Sequence, residues 1–322
     1  MSSNEPLTKR RREEDAAPDD VTRSSEYFFD DGNIILQVES TQFRLHKTVL
    51  AMHSTVFRDM FTVPLPADEP LVDNCAVVVL SGDSPEDWNH LLSAMYPIRS
   101  THEKQTVEFV CALLRLSTKY DIPEFRRQWL ARLHEELPTT LAEYDSGAGW
   151  KYIVVAGDNS HCVLASLIDL AREIGIHSIL PLTLYSLVWD DVLVAPATGT
   201  NKLNLSDQAA YLRGQLRLLR LSSTTTMRWL EPEEPLVPCA TCSSESRPDC
   251  SRVVEDFRKR CTSEISAGVF ASWTELAVDG LCDACEEAAR TVYEEGRVEC
   301  WKQLPSIFDL PDWEELKRLD LD

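Results

Sequence analysis

The stretch "DGNIILQVESTQFRLHKTVLAMHSTVFRDMF", Asp31 to Phe61, changes its apolar period midway, and that change decides the fold. Asp30-Asp31-Gly32 is a turn signal. Behind it Ile34, Leu36 and Val38 alternate with Ile35, Gln37 and Glu39, the pattern of a strand with at least one buried face. "TQFRLH" carries Phe43 and Leu45 on one face and is expected to be the hairpin partner. From His46 the spacing becomes helical: Val49, Leu50, His53, Val56, Phe57, Met60 and Phe61 recur at intervals of three and four, so one or two short helices follow the strand end.

Working outward, a Pro- and Asp-rich loop, "VPLPADEPLVDN", leads to the short apolar strand "AVVVL". Ser84-Pro85-Glu86-Asp87 then combines an N-cap, a first-turn proline and a carboxylate, the start of a helix through Trp88, Leu91, Leu92 and Met95. "VEFVCALLRLSTKYDI" reads as a second, amphipathic helix, and Pro123 opens a third that runs to about Glu136. Signals weaken between Pro138 and Asn159, and a domain boundary is expected there. Beyond it the pattern is helical. "HCVLASLIDLAREIG" is capped by Gly175, "HSILPLTLYSLVW" follows, and "SDQAAYLRGQLRLLRL" has Ser206 as its expected N-cap. "RVVEDFRKRCTSEI", "CDACEEAARTVYEEGRVECWKQL" and "PDWEELKRL" complete the set, and no repeat of fixed period is present.

Composition narrows the function. The 322 residues have room for about two domains, and 53 acidic against 32 basic residues leave a net charge of -21. Such a field repels phosphate backbones and acidic membrane surfaces, so nucleic acid and membranes are disfavoured partners. The basic run Lys9-Arg10-Arg11-Arg12 reads equally as a nuclear-import signal or as a solvated tail, which leaves nucleus and cytoplasm open. Met1 to Asp20 contains no apolar core segment, and Ile179 to Trp189 is too short and too interrupted to span a bilayer, so a soluble, intracellular protein is expected. Residues 1–26, charged and poor in large apolar side chains, are expected to be a disordered tail.

The order of strands and helices from residue 27 to 136, together with the pattern F-x-x-H-[KR]-x-x-L-x-x-x-S-x-x-F carried by Phe43, His46, Lys47, Leu50, Ser54 and Phe57, resembles a BTB/POZ domain. The remainder resembles, more weakly, the helical extensions of fungal BTB proteins, on "LAREIGIHSILPLTLY" and "LCDAC". The expected fold is therefore α+β. A BTB/POZ domain over residues 27–136, a small sheet with surrounding helices, is followed by a linker over 137–159 and a mainly α-helical C-terminal region over 160–322. The resemblance implies protein–protein interaction rather than catalysis: a homodimer, docking of a protein partner, or an adaptor for a cullin-type ubiquitin ligase. It also implies a charged pocket at the dimer groove made by Lys47 with Asp30 or Asp31, against which a plain surface lysine is the competing reading. No kelch, MATH or C2H2 zinc-finger pattern is found. The alternative is a BTB-containing transcription regulator with a zinc-stabilised cysteine-rich region.

Two sets of residues could carry chemistry. His46 and His53 have no nearby Cys or further His, and Asp59 is the only carboxylate close in sequence, so both are read as packing residues at the strand-to-helix corner. Ten cysteines in a chain expected to be intracellular are thiols or metal ligands rather than a disulfide framework. Among them Cys239, Cys242, Cys282 and Cys285 form two C-x-x-C pairs able to make one tetrahedral zinc site. The 39 residues between the pairs exceed the usual ribbon spacing, and buried thiols are the other reading; Cys250, Cys261 and Cys300 are left over. The G-x-S-x-G, G-x-x-x-x-G-K-[ST], G-x-G-x-x-G and H-E-x-x-H motifs are absent, so no catalytic residues and no organic cofactor are expected.

Overall fold

The computed structural model describes residues 21–64, 71–96, 103–147, 149–155, 160–189, 203–231, 237, 242, 250–263 and 268–320. The chain divides into two compact units, residues 1–96 and 97–322.

Among the described residues the first unit is a five-stranded sheet with three helices. Strands β1 (Thr22–Phe28), β2 (Ile34–Val38), β3 (Thr41–Leu45), β4 (Leu71–Val72) and β5 (Cys75–Leu80) lie in the order β1-β3-β2-β5-β4. β2 pairs antiparallel with β3 (Leu36 opposite Phe43) and parallel with β5 (Leu36 opposite Val78). Its run Ile34-Ile35-Leu36 is buried on both faces, as expected for a strand flanked on both sides within a covered sheet. Helices α1 (Lys47–His53) and α2 (Thr55–Met60) meet at Ser54, whose hydroxyl accepts the Phe57 N–H at 3.0 Å and caps α2. Helix α3 (Pro85–Met95) is capped by Ser84 as its sequence requires, and Trp88 donates its indole N–H to Asp83 at 3.0 Å.

One expectation is corrected here. Residues 22–26, assigned above to a disordered tail, belong to β1, which pairs in parallel with β3. All but one of the β1 side chains are exposed or half-buried, so the strand is held by its backbone ladder, a force to which apolar composition is blind.

The second unit is helical. Helices α4 (Val107–Lys119), α5 (Pro123–Glu136), α6 (Leu141–Ser146), α7 (Ser160–Ile174), α8 (Leu180–Trp189), α9 (Leu205–Thr224), α10 (Cys250–Ser263), α11 (Asp283–Ile307) and α12 (Trp313–Leu319) follow in order. α4 is buried on most of its circumference and packs against both α5 and α7. Arg115 on α4 grips the Glu173 carboxylate of α7 with its Nε at 3.0 and 2.9 Å from the two oxygens, and the Cys111 thiol points to the Ser166 carbonyl at 3.8 Å. By compactness the first unit ends before α4, and the segment expected as a linker, 137–159, follows α5. That segment is itself built in: Tyr144 of α6 packs on Phe270 and Trp301, and Ile153 is buried and bridged to Gln105. The N-cap of α9 is Asn204 rather than Ser206; its amide oxygen accepts the Asp207 N–H at 2.9 Å. Gly175 closes α7 at φ +77, where a side chain would be strained.

Two close contacts set α9 and α11. A Cβ on Gly296 of α11 would lie 2.5 Å from the Thr226 backbone nitrogen, and one on Gly214 of α9 would lie 2.2 Å from the Phe308 ring. Beside Gly296, the 5% exposed guanidinium of Arg297 donates to Asp145, to Glu294 at 2.7 Å and to the Phe270 carbonyl at 3.0 Å. Burial works against the charge of Arg297, and the carboxylates of Asp145 and Glu294 more than restore it. At the far end Asp320 accepts the backbone N–H groups of His177 and Ser178, tying α12 to the 3-10 turn His177–Ile179 that precedes α8. Among the described residues no helix is long and apolar enough to cross a membrane.

Two outcomes are expected in urea denaturation. Gly296→Ala destabilises by about 1–3 kcal/mol, because overpacking against immovable backbone outweighs the roughly 1 kcal/mol that alanine contributes to a helix. Asp320 is 10% exposed; burial alone would raise its pKa, and the bonds from His134, Ser178 and His177 hold it below the usual carboxylate value. A lowered folded-state pKa stabilises above the unfolded pKa and is lost as pH falls through the folded one. Asp320→Asn therefore costs on the order of 1 kcal/mol at neutral pH, and the gap to the parent closes as pH drops below about 4.

Candidate functional site

The signature residues converge at the strand-to-helix corner of the first unit. Phe43 on β3, Leu50 on α1 and Phe57 on α2 are 0%, 0% and 1% exposed. The Phe57 ring meets Trp88 edge-on at 6.0 Å between centroids. Ser54 is buried with its cap made. His46 is the N-cap residue of α1, and its side chain makes no cap bond.

Its ring has other partners. His46 packs against Phe29 (5.3 Å) and Tyr96 (6.2 Å), its backbone N–H donates to the Tyr96 hydroxyl at 3.4 Å, and Nε2 lies 3.1 Å from Asp31 Oδ1. Packing at the corner holds for His46, and a carboxylate partner is added that lies fifteen positions upstream, beyond the reach of a local search. Tyr96 is raised by burial, an effect that the His46 backbone bond opposes and the Asp31 charge reinforces. His53 is half-buried at the end of α1, and burial lowers its pKa.

The charged pocket inferred from the resemblance has a different arrangement. Lys47 donates its backbone N–H to the Asn33 side chain at 2.8 Å and sends its ammonium over the Phe61 ring, 5.6 Å from the centroid. Asp30 and Asp31 are exposed at the turn, and Asp31 faces His46 rather than Lys47. On the solvent side of the two helices Met52 and Val56 are 71% and 42% exposed, and Val63 just beyond α2 is 67% exposed.

The second constellation lies in the helical unit. Cys242, Cys250, Cys282 and Cys285 bring their four sulfurs within 4.8 Å of one another. Cys282 is the N-cap of α11 and Cys285 sits in its first turn, so the C-x-x-C spacing turns both sulfurs to one side. Cys250 is the first residue of α10. The Cys282 thiol is lowered to about 7, first by the backbone N–H of Cys285, while Cys242 is raised to about 11, first by its contact with Cys250. One negative charge is thus favoured at the helix N-terminus and resisted beside it. Around the sulfurs lie Trp229, Val254, Phe257, Trp273 and Tyr293.

Three of the four sequence-assigned metal residues are brought together, and the fourth, Cys239, lies outside the described residues. Cys250, left over in the pairing by C-x-x-C spacing, occupies the cluster instead. Its signal was helical: Cys250, Val254, Phe257 and Cys261 recur at intervals of four, three and four, which places Cys250 on the apolar face of α10.

Residues 23–137 match the family model of the BTB/POZ domain. The five strands from Arg23 onward and helices α1 to α5 lie in this span, so the chain carries a BTB/POZ domain followed by a helical C-terminal region. A BTB/POZ domain supports a role in protein–protein interaction. No curated protein matches the chain.

The corner separates structural residues from surface ones. Phe57→Ala is expected to cost about 3–5 kcal/mol, as for other fully buried phenylalanines. Asp31→Asn, with a side chain 86% exposed, leaves stability unchanged because exposed ion pairs contribute little. Urea melts of both variants check the contrast.

Proposed function

We propose that this protein is a non-catalytic assembly component that self-associates through its BTB/POZ domain and presents its helical region to a further protein. The observation that carries the reading is the exposure of Met52 and Val56 on the consecutive short helices α1 and α2, and of Val63 just after them, in a domain of a class built for protein interaction. Large apolar side chains left in water at neighbouring positions are the usual mark of a docking surface. A second copy supplies the same side chains in return, the self-complementary contact of a two-fold dimer. Asp30 and Asp31 at the turn are exposed charges of the same domain, and such charges suit orientation rather than affinity. Docking to a cullin-type ligase is one assembly consistent with such a platform.

The second reading, a transcription regulator, is favoured by the cysteine cluster and by the Lys9–Arg12 run, which lies outside the described residues. The net charge of -21 opposes direct contact with DNA. Absence of DNA binding at low salt removes direct contact, and tagging the chain with and without Lys9–Arg12 separates nucleus from cytoplasm.

In light scattering the full chain is expected at twice its monomer mass at micromolar concentration. Met52→Glu combined with Val56→Glu shifts it to the monomer mass, with unchanged circular dichroism. A parent chain that stays monomeric at high micromolar concentration sinks the self-association reading.

A further inference from the structure

We propose that Cys242, Cys250, Cys282 and Cys285 are the four ligands of a structural zinc ion, with Cys250 rather than Cys239 completing the set. A tetrahedron of Zn–S bonds of about 2.3 Å separates its sulfurs by roughly 3.8 Å. The Cys242 sulfur lies 3.7 Å from that of Cys250 and 4.0 Å from that of Cys282. These separations are near the tetrahedral edge and far from the roughly 2.05 Å of a disulfide.

The protein supplies its own comparison for a buried thiol that is only packing. Cys75 and Cys111 each point at a backbone carbonyl, those of Gly32 at 3.3 Å and Ser166 at 3.8 Å, and Cys300 lies 2.9 Å from the Thr225 hydroxyl. Each of those thiols has an oxygen partner. In the cluster sulfur lies against sulfur, and the backbone N–H of Cys282 donates to the Cys250 sulfur at 3.3 Å, a bond of the kind that orients a metal-bound thiolate. Four sulfurs from three separate chain segments then share one centre. Soft thiolates in a closed tetrahedral set select zinc over harder divalent ions, and a site with four protein ligands has no open position for catalysis. A tetrathiolate zinc centre carries two net negative charges, and the N-terminal turns of α10 and α11 that hold Cys250, Cys282 and Cys285 favour negative charge. Loading releases the remaining thiol protons to solvent.

The ion would tie Cys242 and the starts of α10 and α11 at one point beneath Trp229 and Trp273. Cys261 borders the same apolar cluster and is not among the four. The inference is independent of the interaction reading, since metal content and oligomeric mass are measured separately.

The test is elemental analysis of the full chain purified under reducing conditions and incubated with zinc, then desalted. One zinc per chain is expected, with its release by a mercurial thiol reagent altering the tryptophan fluorescence. Cys239→Ser and Cys261→Ser each retain one zinc, whereas Cys250→Ser loses it. Because Cys250→Ser could also misfold, two further measurements stand beside it. Cobalt(II) in the parent chain gives the intense absorption of a tetrahedral thiolate centre, and Cys250→His keeps the metal with that absorption shifted. The assignment is overturned if the reduced parent chain takes up no zinc or carries iron in its place, or if cobalt shows an octahedral spectrum. Loss of zinc in Cys239→Ser with retention in Cys250→Ser equally overturns it.

Discussion

Helix α4 has almost no polar face, and a helix apolar around most of its circumference must be enclosed by other elements. Among the described residues of its own unit, α5 and α7 do the enclosing. α5 belongs to the span that matches the BTB/POZ domain and α7 to the helical region after it. The end of the domain and the start of the extension consequently share one core, fastened at the surface by the Arg115–Glu173 pair. From that core the rest of the unit is built outward. α7 packs on α8, α8 on α9 and α11, and α12 is drawn back to the turn before α8 by the Asp320 carboxylate.

Much of this was legible in the sequence wherever period and capping agree. The switch from alternation to helical spacing at His46 located the hairpin and the helical stretch after it, while its division into two helices at Ser54 came from the structure, and Ser84, Gly175 and the start of α11 fell where their chemistry puts them. β1 was not legible because it is held by its backbone ladder and, apart from Tyr27, its side chains are exposed or half-buried. The core shared by α4 and α7 was not legible either. Burial on most sides of α4 is visible in its composition, but which helix provides the cover depends on contacts across some fifty residues, which no local pattern encodes.

The two constellations fared differently for the same reason. His46 was identified as a corner residue from its neighbours, while its carboxylate partner comes from the other side of the hairpin. The cysteines were noticed as C-x-x-C pairs, a rule about adjacent ligands on one chain segment. In the fold the start of α10 comes to the start of α11, so Cys250 arrives through tertiary packing. In both places residue chemistry was readable from short range, and the missing partner was supplied from long range.

The seam between α4 and α7 also bears on how the chain is made. α4 ends at Lys119 and α7 at Ile174, so about 55 residues separate the completion of one from that of the other. At translation rates of roughly 5–20 residues per second, the α4 stripe that receives α7 waits on the order of 3–10 seconds for its cover. For that interval the nascent domain holds a half-finished apolar surface outside the ribosome, where holding chaperones bind. Although the domain is the earlier stretch in sequence, its last helices close only when the extension has been synthesised.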